Sequence, residues 1–271
     1  MVKVAIAAGT RGLGAAIARG IEVSGLHERL VLSRSPTIRS GHIFVDHTDV
    51  RKCRALLETQ TIHNVISFLA IEGGGGEAQM NLLEAADQCK ATKRFMPREF
   101  GAVYESEHVA ATMPAYTWKL KARDRLKTSC LKYTLLSNSI FLDYLIAPRV
   151  PTPLTFALPS WVDLVNNFAA LPGDRTTMVT MTHTRDIVRF VVAYLGMPDW
   201  QKQLHLFGDR LTLNEIVDIA EEVKGTTFEK TFDDIDRLQE GKCTVLPVTR
   251  SHFPPSQKAA QCAGRLAASL L

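Results

Sequence analysis

The sequence predicts an α/β fold, a doubly wound parallel sheet with a smaller C-terminal lobe. In the first half, short apolar runs alternate with segments of helical spacing, which is the order of parallel strands joined by crossover helices. The run at residues 65–70, Val-Ile-Ser-Phe-Leu-Ala, is almost continuously apolar, as expected of a parallel strand that is covered on both faces. The chain of 271 residues is long enough for one large domain or for a domain with a small partner.

The elements of the first half follow in regular order. Strands are expected at residues 2–7, 30–33, 42–45, 65–70, 94–97 and 133–137. Helices are expected at residues 13–24, after Asp49, at 78–89 and from about Trp118. Asp49 is a residue type that caps helix N-termini. Six strands with intervening helices are therefore predicted.

The regular alternation ends after Ser139. Prolines then crowd the chain, at Pro148, Pro151, Pro153 and Pro159. Helical spacing returns at residues 186–195 and 213–223. We therefore expect a sheet domain at residues 1–147 and a smaller substrate-binding lobe at residues 148–271, with some segments packing back on the sheet. Ligands of such folds bind at the carboxyl ends of the strands.

Composition and charge exclude several classes of protein. Hydrophobic residues make up 46% of the chain and charged residues 22%, and the net charge is +4 without any block of five basic residues. A nucleic-acid partner is therefore not expected. No apolar run approaches the roughly 20 residues of a membrane span, and the N-terminus lacks the layout of a secretory signal. Nothing in the sequence excludes a homodimer.

The five cysteines are scattered and form no C-x-x-C pattern. We therefore expect neither a zinc site nor a disulfide framework. This cysteine usage favours the reducing conditions of the cytoplasm.

A glycine-rich loop lies between the first strand and the first helix. Its residues are Gly9, Thr10, Arg11, Gly12, Leu13 and Gly14. Glycine permits a tight turn and a close approach to a diphosphate, which the free N–H groups of a helix N-terminus attract. The position between strand and helix is the context that a Rossmann dinucleotide site requires, although an ordinary tight turn remains the alternative.

The end of the second strand distinguishes NAD from NADP. An acidic residue there would accept hydrogen bonds from the ribose hydroxyls, whereas an arginine would pair with a 2′-phosphate. The chain has Ser33 and Arg34 at this point and no carboxylate before Asp46. Arg34, helped by Arg11 and the Ser33 hydroxyl, therefore predicts NADP(H), the alternative being a solvated loop arginine.

Several segments together resemble the isoflavone reductase-like, NmrA-like branch of the atypical short-chain dehydrogenases/reductases, in its fungal form. The segments are residues 9–14, 45–49, 93–101, 131–138, 182–187 and 200–222. The most specific is Lys-Arg-Phe-Met-Pro-Arg-Glu-Phe-Gly at residues 93–101. The resemblance implies a Rossmann fold and an NADPH-dependent reductase of a small, aromatic or polyketide-like metabolite. Our cofactor-binding set also includes Phe68, Leu69, Phe100 and Lys119.

The resemblance implies a catalytic lysine in the pattern Lys-x-x-apolar-Arg, with Tyr-Thr fourteen and fifteen residues further on. Counting back from Tyr133 selects Lys119, which is followed by Ala122 and Arg123. Lys121 is the competing choice, and it would need a two-residue insertion. In such enzymes the lysine exchanges a proton with a substrate oxygen next to the carbon that receives hydride.

Other readings of this helix stay open. Lysine and arginine at positions 119, 123 and 127 also have the spacing of a solvated basic face. Tyr116, three residues before Lys119, is a secondary candidate for the proton donor.

Two further points stay open in the sequence. The run Gly73–Gly76 permits close cofactor approach, acts as a mobile lip, or is a plain connection. Arg98 stands where the family usually has a small serine, so it adds a cation at the rim of the site.

A non-redox isomerase or cyclase and a nonenzymatic NADP-binding sensor are the alternative functions.

Overall fold

The computed structural model describes residues 1–35, 40–103, 114–146, 150–154, 161–173 and 176–250. Contacts divide this part of the chain into two units. The first unit takes in the residues up to Ser139, Pro153 with Leu154, and Thr184–Leu206. The second unit takes in the rest. Pro148 and Pro159 lie outside the described residues, and the predicted division at residue 147 stays a prediction.

A six-stranded parallel sheet forms the centre of the first unit. Its strands are β1 (Lys3–Ala7), β2 (Glu28–Ser33), β3 (His42–Phe44), β4 (Asn64–Ser67), β5 (Arg94–Met96) and β6 (Lys132–Tyr133), in the order β3-β2-β1-β4-β5-β6. At its last residue β1 pairs Ala7 with Leu32 on one side and with Ser67 on the other. The carboxyl ends of the three central strands are therefore level, which places the loops that follow them at one edge.

Helices cover this sheet. They are α1 (Gly12–Ser24), α2 (Val50–Thr59), α3 (Gly75–Gln88), α4 (Thr117–Lys127, after a 3₁₀ turn at Pro114–Tyr116) and α6 (Thr184–Leu195). The side chain of Asp49 accepts the Lys52 N–H and so caps α2 as expected. Leu57, Leu82 and Phe95 are fully buried in the core on one side of the sheet. The predicted doubly wound α/β fold is confirmed.

A segment from beyond the proline-rich region belongs to the first unit. Helix α6 packs on α1, where a Cβ added to Gly20 would lie 2.4 Å from Val188 Cγ1. Glycine at this position therefore allows the two helices to approach closely. Strand β12 (Gln203–His205) pairs in parallel with β7 (Leu135–Ser137).

The second unit contains two three-stranded sheets. Its strands are β8 (Ile140–Phe141), β9 (Val162–Asp163), β10 (Phe168–Pro172), β11 (Met178–Thr182), β13 (Asp209–Thr212) and β14 (Glu229–Asp233), in the orders β14-β10-β9 and β13-β11-β8. Its helices are α5 (Asp143–Ile146), α7 (Leu213–Lys224), α8 (Ile235–Gln239) and α9 (Pro247–Arg250). Trp161, Leu171 and Val217 are buried in its core.

Cysteine usage departs in one respect from the expectation. Cys53 and Cys89 are buried free thiols and Cys130 is an exposed one, but Cys243 is disulfide-bonded. Burial raises the pKa of the Cys53 thiol to about 11.

The described residues contain neither a helix that could span a membrane nor a cluster that could hold a metal ion. None of the helices there has the length and apolar character needed to cross a membrane. The same residues contain no cluster of His, Cys, Asp and Glu that could hold a metal ion.

Candidate active site

The glycine-rich loop leaves β1 at the level edge of the sheet and leads into α1. A Cβ on Gly9 would lie 2.8 Å from Ile6 Cγ2, so the loop packs directly against its own strand. Gly12 has φ +61°, a conformation that favours glycine, and apart from its chain neighbours and its own helix backbone nothing in the described chain lies within 4 Å of a Cβ built there. The backbone at Gly12 is therefore accessible to a group from outside the protein.

The N-terminus of α1 is suited to an anion. Arg11 takes the N-cap position without a side-chain hydrogen bond, and the first turn contains no acidic residue. Thr10 and Arg11 are exposed, whereas Leu13 is buried and holds the helix to the core. The helix dipole and the first-turn N–H groups therefore favour a phosphate here, and the cradle at Gly12 leaves space for it.

The turn after β2 presents Arg34 to solvent. Ser33 is buried, and its hydroxyl donates to the Ser35 carbonyl and accepts the Ser35 N–H, at 2.9 and 3.1 Å. This hydroxyl is thus engaged in shaping the turn. Arg34 itself is exposed. The pKa of His47 is lowered mainly by the burial of its ring, and the positive charge of Arg34 lowers it further.

Phe68 connects the glycine loop with the next loops of the sheet edge. A Cβ on Gly14 would lie 3.0 Å from Phe68 Cδ2, so the phenyl ring packs against the start of α1. The same ring stacks on Phe100, with centroids 4.7 Å apart. The structure thus brings Gly14, Phe68 and Phe100 together, whereas Leu69 is 1% exposed and belongs to the core.

Lys119 lies on the buried side of α4. It is 5% exposed, and its Nζ donates to the backbone carbonyl of Glu99 at 3.2 Å. The Nζ also lies 4.8 Å from the centroid of the Tyr116 ring. Lys121 is exposed, with its Nζ over the Trp118 ring. Of the two competing lysines, Lys119 is therefore the one that contacts Glu99, the residue directly before Phe100.

The surroundings of Lys119 change its proton affinity. Burial lowers the pKa of Lys119 to about 8, and the positive charges of Arg98 and Arg123 act in the same direction. The carboxylates of Glu99 and Glu72 oppose this change. Lysine near this pKa exists in both protonation states under mildly alkaline conditions, which suits proton exchange.

The sequence did not predict two contacts of the site, one to Glu99 and one to Gln79. Arg123 donates from Nε and Nη2 to the two carboxylate oxygens of Glu99, both at 2.9 Å. Arg98 donates from Nη1 to the Phe68 carbonyl at 2.7 Å and from its backbone N–H to Gln79 Oε1 at 2.9 Å. The Glu-Phe-Gly motif at residues 99–101 was the available signal for Glu99, while Gln79 lies unmarked within a helical segment.

The glycine run 73–76 has two different halves. Gly73 and Gly74 adopt φ of 57° and 79°, and they form the turn before α3. Gly75 and Gly76 are the first residues of α3 and are buried. A Cβ on Gly75 would lie 1.9 Å from the Ala70 carbonyl oxygen, and a Cβ on Gly76 would lie 2.2 Å from Trp118 Cγ. Gly76 is therefore a close contact between α3 and α4.

A cavity of about 510 Å³ lies in the second unit. Its lining is mainly aliphatic and includes Leu142, Leu145, Met181, Leu211 and Ile216. None of the described residues that line it belongs to the predicted site.

The glycine-rich loop after β1 and the level strand ends define a Rossmann-type fold. The model of the NmrA-like family matches residues 47–246, which is most of the chain. The chain belongs to the NmrA-like family, and the predicted resemblance is confirmed.

Curated relatives carry names of oxidoreductases and reductases. Oxidoreductase BOA1 of Botryotinia fuckeliana is 36% identical over 232 residues, covering 83% of this chain and 77% of the relative. Oxidoreductase swnN of Metarhizium robertsii is 25% identical, covering 95% and 84%. Phenylcoumaran benzylic ether reductase IRL1 of Ginkgo biloba is 25% identical, covering 85% and 78%. The prediction of an enzyme of the oxidoreductase class is confirmed.

Solved structures share the fold. A structure of AtPrR2 with NADP+ and (+)pinoresinol has a TM-score of 0.71 at 17% identity, covering 96% of this chain and 85% of the other. A crystal structure of isoflavone reductase has a TM-score of 0.70 at 18% identity, covering 99% and 89%. These similarities support the Rossmann-type architecture.

Proposed function

We propose that this chain is an NADPH-dependent reductase of a small, aromatic or polyketide-like metabolite, with Lys119 as the general acid and base. One observation carries the proposal. Lys119 is buried with a lowered pKa, and contacts lead from it through Glu99, Phe100 and Phe68 to Gly14 of the glycine loop. A phenylcoumaran benzylic ether reductase among the relatives, and an NADP+ complex among the neighbours, support the same class.

The residues present are suited to NADPH. The backbone at Gly12 and the uncapped N-terminus of α1 would hold the diphosphate. The exposed guanidinium of Arg34 would pair with the 2′-phosphate. When bound, the nicotinamide supplies a hydride to an electrophilic carbon of the substrate.

The chain's own contribution is to hold and move a proton. The ammonium of Lys119 donates a proton to the substrate oxygen, and the neutral amine accepts one in the reverse direction. The Glu99 carbonyl accepts a hydrogen bond from Nζ and so orients it. The stacked rings of Phe68 and Phe100 exclude water from the side of the site next to Gly14.

Purified protein tests the proposal directly. The chain is mixed with NADPH and a panel of aromatic ketones, enones and benzylic ethers, and the loss of NADPH absorbance is followed. Lys119→Met is expected to reduce turnover at saturating NADPH by about 10²- to 10⁴-fold. Lys121→Met, which changes an exposed lysine of the same helix, is the matched control and should keep full turnover.

The other outcomes would overturn the proposal. Product formation without NADPH loss would indicate an isomerase or cyclase on the same fold. NADPH binding without turnover of any substrate, unchanged in Lys119→Met, would indicate a sensor.

A further inference from the structure

One residue of the site holds two cations through two different groups. The carboxylate of Glu99 takes both donors of the Arg123 fork, while the backbone carbonyl of Glu99 accepts the Lys119 ammonium. Glu99 is 1% exposed and the Arg123 side chain 13% exposed, so the ion pair is largely removed from water. Lys119 and Arg123 are four residues apart in α4, which places them on neighbouring turns of one face.

Stability alone gives a weak reason for such a pair. Desolvating two charges offsets much of their attraction, and well-packed apolar residues often serve a protein core equally well. A bidentate arginine–carboxylate contact does, however, fix geometry closely. Here it fixes the short loop after β5 to α4, at the residue whose carbonyl accepts the Lys119 hydrogen bond.

We propose that Glu99 and Arg123 are positioning residues for Lys119, which hold its ammonium by the Glu99 carbonyl and balance the charge around it. The proposal rests on the proposed function only in that Lys119 is there the proton donor. Neither residue takes part in the proton transfer itself.

The charges that face Lys119 determine in which direction each substitution should change its pKa. Arg123 belongs to its own helix, Arg98 and Glu99 to the loop after β5, and Glu72 to the segment before α3. The Tyr116 ring lies against the Nζ. Since Glu99 and Arg123 carry opposite charges, their effects on the pKa of Lys119 oppose each other while both are present. Removing one leaves the other uncompensated.

The test is a titration of Lys119 in the full chain by NMR, with lysine labelled at Cε and the signal assigned by its loss in Lys119→Arg. Glu99→Gln is expected to lower the pKa of Lys119 by about 1, and Arg123→Gln to raise it by about 1. The double variant should return it close to the original value. A purely structural role would not produce opposite changes that cancel.

Folding and specificity have their own controls. If Glu99→Gln leaves too little folded protein, Arg123→Gln and the double variant still give the sign and the return. Arg123→Lys keeps the charge but loses the fork, so the pKa should stay while the Lys119 signal broadens or moves. Arg125→Gln removes an arginine of the same helix that pairs with Glu84 and Asp87, and it should leave the titration unchanged.

The titration needs no substrate, so it separates the two proposals. Equal pKa values in all variants, or changes of the same sign in both single variants, would overturn the positioning role even if Lys119→Met abolishes turnover. Opposite, cancelling changes together with an unaffected turnover in Lys119→Met would retain the effect of both residues on Lys119 and overturn Lys119 as the proton donor of the reductase.

Discussion

The Nζ atom of Lys119 lies 4.8 Å from the ring centroid of Tyr116, three residues earlier in the chain. The aromatic face attracts the ammonium but provides no proton acceptor for it. The burial that this arrangement creates has a larger effect on the pKa than the attraction of the nearby carboxylates, so the pKa of Lys119 falls to about 8.

The lowered pKa of Lys119 predicts a pH-dependent stability. The unfolded chain keeps this proton up to its ordinary pKa of 10.5, whereas the folded chain releases it near 8. Folding is therefore penalised below pH 8, and the penalty disappears as the pH rises from 8 to 10.5. Over that interval the wild type should gain on the order of 3 kcal/mol in unfolding free energy relative to Lys119→Met.

Urea unfolding at several pH values measures this difference. Lys121→Met, which changes an exposed lysine of the same helix, is the matched control. A difference for Lys119→Met that stays flat from pH 7 to 10.5 would contradict the lowered pKa.

Arg34 should determine the preference for the phosphorylated cofactor. Arg34→Ala removes charge-assisted hydrogen bonds to the 2′-phosphate, so NADPH should bind about 10- to 100-fold more weakly. NADH has no such phosphate, and its affinity should stay within about two-fold. Calorimetric titration with both cofactors measures the two effects. Arg19→Ala, an exposed arginine of α1, is the control, and equal losses for NADPH and NADH in Arg34→Ala would refute the assignment.

Gly12 should affect both cofactors alike. Gly12→Ala places a methyl group in the cradle and forces alanine into φ +61°, at a cost of about 1 kcal/mol. NADPH and NADH should both lose at least about tenfold in affinity, since both contain the diphosphate. Gly25→Ala is a close control because Gly25 ends the same helix at φ +63°, also with nothing described within 4 Å. It should lower stability similarly and leave cofactor binding intact.

The contact between Gly76 and Trp118 predicts a packing defect. A Cβ at Gly76 would lie 2.2 Å from Trp118 Cγ, so Gly76→Ala must displace the indole or α3 and should cost about 1–3 kcal/mol. Gly196→Ala is the comparison, since its nearest described neighbour would be 3.6 Å away. Thermal unfolding of both variants should show a loss for the first only. A Gly76→Ala protein as stable as the wild type would show that the α3–α4 contact is loose.

Local patterns were sufficient to predict the parallel sheet and its first helices. Apolar runs and glycine turns report on residues close in sequence, so the parallel strands, the loop at 9–14 and the start of α1 follow from them. Counting from Tyr133 also selected Lys119, and the burial of Lys119 against the exposure of Lys121 agrees with that choice.

Contacts distant in sequence could not be predicted in this way. Glu99 and Arg123 are 24 residues apart, and nothing in the spacing marks their bidentate pairing. Glycine at position 76 is explained by Trp118, which lies on a different helix. The inclusion of Thr184–Leu206 in the first unit depends likewise on packing against α1.

The free thiols differ in exposure, so a fluorescent dye can be attached selectively to one of them. Cys130 is exposed just beyond the end of α4, while Cys53 and Cys89 are enclosed. A maleimide dye should therefore attach to Cys130 in preference to these two. Lys119 lies on the helix that ends next to this dye. The fluorescence of the dye should therefore report ligand binding at that helix, with no substitution in the site itself.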